Sequence, residues 1–92
     1  QNVLKVKQEI NEQIHYIGQY LSTKSTYGEF LKASDKRSFR NVHSDELDRY
    51  KEARQNMKQY FSDGKIPSIK ELRVKKKLLM RMRDARFETY HY

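Results

Sequence analysis

The 92-residue chain has no cysteine, no tryptophan, three glycines and one proline. Without cysteine there can be no disulfide scaffold and no thiolate metal site. So little glycine and proline argues against the turn-rich β-sandwiches and barrels. No run of about 18 apolar residues occurs, so no membrane span is expected. Nor is there a basic-then-apolar leader of the secretory kind. Acidic groups are the minority, 12 Asp plus Glu against 20 Lys plus Arg, which gives a formal net charge of +8. The length suffices for one thin domain. Charged residues reach 35% and the mean hydropathy is −1.10, yet an aromatic share of 12% supplies large side chains to bury. A basic, helical, cytoplasmic protein is the expected class. The chain starts without Met and ends within a helical pattern, so it is expected to be a piece of something longer. It shows no internal repeat.

Apolar residues at Val3, Val6, Ile10, Ile14, Ile17 and Leu21 step by three and four, the helical period, and predict a helix over 2–21. Gly18 beside this stripe costs about 1 kcal/mol relative to Ala in a helix interior, and points to a close helix–helix contact. Ser22 to Thr26 is a polar pause with good N-cap residues. A short helix is expected over 27–33, with Tyr27, Phe30 and Leu31 on one side. The polar stretch Ser34–His43 reads as irregular, anchored by Phe39 and Val42. Ser44 opens a helix over 44–61, with Asp45 and Glu46 at its positive end. Leu47, Tyr50, the Arg54 stem, Met57 and Phe61 form its stripe. Asp63-Gly64 reads as a turn. Ser68 and Glu71 form a capping box that starts a helix over 69–90. There Ile69, Leu72, Leu79 and Met82 make one stripe and Val74, Leu78 and Ala85 a second, while Met80 and Phe87 point elsewhere. Such a wide apolar face predicts burial against more than one neighbour. The expected fold is all-α: a small bundle of three main helices plus a short one, in a single domain over 1–92.

No constellation supports catalysis. Two Glu-x-x-His pairs, Glu12/His15 and Glu88/His91, have the spacing of di-iron bundle ligands. At about 100° per residue the first pair faces away from the apolar stripe, toward water. The second sits at the end of the chain. Tyr90-His91-Tyr92 sets phenols beside an imidazole, a pattern that favours aromatic packing over a nucleophile without metal ligands beside it. There is no phosphate-cradling glycine loop and no nucleophile elbow. No metal, cofactor or small-molecule substrate is expected.

Charge is distributed unevenly. Residues 1–34 carry four positive and three negative groups, residues 35–64 seven and six, and residues 65–92 nine and three, a local net of +6. A polyanion is the partner this suits. The basic set of the last helix is Lys70, Arg73, Lys75, Lys76, Lys77, Arg81, Arg83 and Arg86. Lys70, Arg73, Lys77 and Arg81 step three, four, four and line one face, a row that fits a phosphate backbone. Asn and Gln are absent from this helix, so base-edge readout is not expected. Lys36, Arg37 and Arg40 around Phe39 make a second candidate patch.

Three stretches carry a resemblance. They are Gln8-Glu9-Ile10-Asn11-Glu12-Gln13-Ile14-His15-Tyr16-Ile17-Gly18-Gln19-Tyr20-Leu21, then Asp63-Gly64-Lys65-Ile66-Pro67-Ser68, then Thr89-Tyr90-His91-Tyr92. In this order they resemble the helical region that follows the nuclease domain in relaxase/mobilisation proteins of Gram-positive conjugative and mobilisable elements. That family nicks one DNA strand at a transfer origin through a tyrosine, with a metal held by a histidine cluster. None of those motifs is present, so the resemblance carries over no catalytic residue, Tyr90 and Tyr92 included. It implies a non-catalytic accessory domain that holds DNA or contacts the transfer machinery. The alternative is a protein–protein module, either a homodimerising bundle or a docking piece for other transfer proteins.

Overall fold

In a computed structural model the backbone is described for residues 3–91 and side chains for residues 4–61 and 63–85. The described residues form four α-helices and no strand: α1 (Val3–Lys32), α2 (Lys36–Val42), α3 (Ser44–Met57) and α4 (Ile69–His91). Single 3₁₀ turns at Lys58–Tyr60 and Ser62–Gly64 link α3 to α4. The all-α class is as the periodicity predicts.

α1 differs from expectation, because it passes unbroken through the polar pause at Ser22–Thr26. The hydroxyls there bond backward along the helix instead of capping a new one. Ser22 Oγ donates to the Gln19 carbonyl at 3.1 Å and Thr23 Oγ1 to the same oxygen at 2.8 Å. Packing holds the helix on both sides of the pause. The Tyr50 ring of α3 stacks on Tyr20 at 5.2 Å between centroids and on Tyr27 at 4.2 Å. Tertiary contact thus overrides a weak local propensity.

The stretch read as irregular contains α2. Asp35 caps it, accepting from the Ser38 N–H at 3.1 Å and from Ser38 Oγ at 2.9 Å. These bonds, the backbone one foremost, hold the Asp35 carboxyl below its ordinary range. Phe39 anchors the helix between Phe30 and His43, at 6.1 and 4.3 Å. Val42 does not, since it is 76% exposed.

α3 returns antiparallel along α1. Glu46 accepts from Thr26 Oγ1, Tyr50 sits between Tyr20 and Tyr27, and Tyr60 donates to Glu12 at 3.2 Å. Its inner face is Leu47, Tyr50, Ala53 and Met57, the last two fully buried. Arg54, counted into the sequence stripe by its stem, is exposed. After α3 the chain turns with Asp63 and Gly64 both left-handed, at φ 59° and 65°, as an Asp-Gly turn permits. Ser68 then caps α4, accepting the Glu71 N–H at 3.3 Å.

The core comprises Ile10, Ile17 and Tyr20 from α1, Tyr50, Ala53 and Met57 from α3, and Leu72 and Leu79 from α4. α1 supports both long partners, whereas α3 and α4 make little contact with each other. Only Leu72 and Leu79 of α4 are buried among the described side chains. Of its second apolar stripe, Val74 and Leu78 stand 54% and 52% exposed, and Met82 of the first stripe stands 45% exposed. No described helix is long and apolar enough to cross a membrane.

Candidate nucleic-acid interface

α4 presents its cations in two groups. Leu72 and Leu79 fix the helix's rotation by turning toward α1. Lys70, Arg73, Lys77 and Arg81 then fall within an arc of about 80° on the opposite side, and all four are exposed. Among the described residues none of the four has a carboxylate within ion-pair distance. The row covers 11 residue steps, about 16 Å at 1.5 Å per residue, with a cation every 5 Å or so.

The remaining cations of α4 are engaged differently. Lys75 Nζ lies 5.0 Å from the centre of the Phe61 ring. Lys76 is half-buried and extends over Gly18, where a Cβ would meet its Nζ at 3.4 Å and its Cε at 3.6 Å. Gly18 therefore marks the passage of a flexible side-chain tip, not a close approach of two backbones. Arg83 is half-buried and pairs with Asp84, Nε to Oδ1 at 3.3 Å. The side chain of Arg86 lies outside the described residues, as do those of Phe87, Glu88, Tyr90, His91 and Tyr92. Arg73, Lys76 and Lys77 also border a shallow groove of about 470 Å³ floored by Leu21, Val74 and Met80.

The second basic patch does not join the first. Lys36, Arg37 and Arg40 are exposed on α2, which packs mainly on α1 and α3. Lys36 Nζ donates to the Ala33 carbonyl at 3.3 Å, and the Arg40 guanidinium covers the Phe30 ring at 5.0 Å.

A third concentration of positive charge escaped the sequence pattern. The α1 row Tyr20, Lys24, Tyr27 faces a row of Tyr50 and Arg54 from α3 and Lys58 from the following 3₁₀ turn across an open pocket of about 560 Å³. The segment Gly64–Ile66 closes one side and adds Lys65. Among the described residues no carboxylate lines it. Lys24 Nζ donates to the Tyr20 hydroxyl at 3.1 Å. Burial, followed by the adjoining Tyr20 hydroxyl, pushes Tyr50 up to about 12, so its phenol is neutral at pH 7. Each row has helical spacing, but pairing them requires an unbroken α1.

Glu12 and His15 are both exposed, as expected, and Glu12 accepts from the Tyr60 hydroxyl. Burial, then the neighbouring Glu12, raises the Tyr60 hydroxyl above its usual value. Among the described residues no three His, Asp or Glu side chains gather as a metal site. No family model, curated protein or solved structure matches the chain.

Proposed function

We propose that this chain is a non-catalytic helical domain that holds DNA in the cytoplasm with little regard to sequence, as an accessory part of a relaxase or mobilisation protein. The observation that carries DNA holding is the row Lys70, Arg73, Lys77 and Arg81, exposed and free of carboxylate partners among the described residues. A run of cations with no internal counter-charge keeps its field directed outward, where phosphates recur about every 3.4 Å along a strand. Lysines and arginines on a helix without Asn or Gln suit phosphate contacts and not base edges. The parentage rests on the three stretches of local resemblance.

The test is binding of the full chain to a mixed-sequence duplex, followed by fluorescence anisotropy at low salt. Arg73→Glu with Lys77→Glu is expected to abolish binding while helical circular dichroism stays constant. Undiminished binding by this variant would remove α4 from the interface.

A second role is favoured by one observation. Val74, Leu78 and Met82 form an exposed apolar stripe beside the basic row. Unpartnered apolar surface of this kind marks docking, so the domain would contact another protein of a transfer assembly or a second copy of itself. Val74→Ser with Leu78→Ser separates the two roles, since it removes docking and leaves DNA affinity intact.

A further inference from the structure

We infer that the pocket between the Tyr20–Lys24–Tyr27 row of α1 and the row formed by Tyr50 and Arg54 of α3 with Lys58 of the following 3₁₀ turn binds an oligophosphate group. This inference is independent of the α4 row and involves none of its residues.

The chemistry of the lining selects the ligand class. Lys24, Arg54, Lys58 and Lys65 bring four positive charges from three separate places in the chain to one concavity, with no acid among the described lining residues. None of the four has a carboxylate within ion-pair distance among the described residues. Cations gathered without counter-charge repel one another, and a multiply charged anion relieves that repulsion. Tyr20 and Tyr50 are themselves buried. Lys24 reaches the Tyr20 oxygen, which places that hydroxyl at the cationic lining. Phenol hydroxyls and ammonium groups are donors, and Arg54 adds a planar fork suited to two phosphate oxygens. A ligand rich in acceptors and poor in donors fits this lining.

Two features favour phosphates over a nucleobase. The tyrosine faces are already occupied by one another, with Tyr50 stacked on Tyr27 at an interplanar angle of 13° and on Tyr20 at 23°. The volume of about 560 Å³ lies within the range of small-ligand sites and admits a chain of phosphoryl groups, not merely one. The Asp63-Gly64 turn completes the site. Its two left-handed residues reverse the chain so that Lys65 and Ile66 meet the tyrosine face.

Such a group has two sources, a free oligophosphate or the 5′-triphosphate of a nucleic acid, and one experiment distinguishes them. Isothermal titration of the full chain with inorganic tripolyphosphate at low salt is expected to show saturable one-to-one binding. Arg54→Ala with Lys65→Ala, both exposed positions, should weaken it at least tenfold. The charge-matched control Arg73→Ala with Lys77→Ala should change it less than twofold. Tyr50→Phe, which keeps the stacking, should weaken it several-fold. Absence of saturable binding, or equal losses in the pocket and control variants, overturns the inference. In a parallel arm the pocket variant is titrated with 5′-triphosphorylated and 5′-hydroxyl single strands. A selective loss for the triphosphorylated strand supports the site with nucleic acid as its source. Equal losses for the two strands relative to the unaltered chain, with tripolyphosphate binding present in that chain, support it with a free ligand. Failure of DNA binding through α4 would leave these outcomes unchanged.

Discussion

If four cations of α4 contact phosphates, the salt dependence of DNA binding follows from their number. Each neutralised phosphate releases counterions, so log affinity falls against log salt with a slope of about −0.9 per contact on duplex DNA. The exposed row Lys70, Arg73, Lys77 and Arg81 then gives a slope of about −3.6, a loss of about 150-fold between 50 and 200 mM salt. Replacing one of the four by Ala should flatten the slope by about 0.9, and replacing all four should leave little of it. Lys76→Ala and Arg83→Ala should change it much less, because Lys76 extends across Gly18 and Arg83 is paired with Asp84. Fluorescence anisotropy of a labelled duplex at five salt concentrations measures each slope. A slope that survives removal of all four cations, or an affinity that ignores salt, refutes the assignment. Slopes that fall equally for all six single variants show that only total charge matters and that the row has no special place.

Other outcomes concern stability and pH. Leu72→Ala, at a fully buried position, should cost about 2–5 kcal/mol in urea denaturation; a cost below about 1 kcal/mol would show that α4 does not depend on it. Gly64→Ala places an L side chain at φ 65° and should destabilise by about 1–2 kcal/mol. Gly18→Ala should stabilise by up to about 1 kcal/mol, since helix propensity improves and the added Cβ meets only the movable end of Lys76; a loss of stability would instead reveal a backbone approach at that site. Tyr50 is pushed up to about 12 from an ordinary value near 10. Between those values the unfolded phenol has lost its proton while the folded one keeps it. Stability should therefore fall as pH rises from 10 to 12, and Tyr50→Phe should remove that part of the fall. Asp35 acts at the other extreme. Its carboxyl is held low in the folded state, so the cap is intact at neutral pH and is lost as pH falls through that lowered value.

The legible parts of the fold were those in which one helix declares itself. The α3 stripe of Leu47, Tyr50 and Met57, the Asp63-Gly64 turn and the Ser68 cap all rest on near neighbours in sequence, and each recurs in the structure. The exposure of Lys70, Arg73, Lys77 and Arg81 was legible for the same reason. The break assigned at Ser22–Thr26 was wrong because hydroxyl-rich segments suit caps and helix interiors alike. The decision fell to Tyr50, far along the chain. α2 was missed because its cap, Asp35 bonded to Ser38, lies within a short polar stretch without a stripe. The tyrosine-lined pocket was hidden by that same false break. Tyr20 and Tyr27 belong to one helix face only if the helix continues between them.

Since α4 leans on α1 and scarcely on α3, its attachment is separable from the rest of the bundle. Its two buried leucines contribute about 1.5–3 kcal/mol each, against the several aromatic and aliphatic contacts that bind α3 to α1. Native-state hydrogen exchange should therefore find the amides of α4 opening as a unit, ahead of those in α1 and α3. α4 would then be the first foldon to let go, and a partner that clamps it would raise the melting temperature of the whole domain.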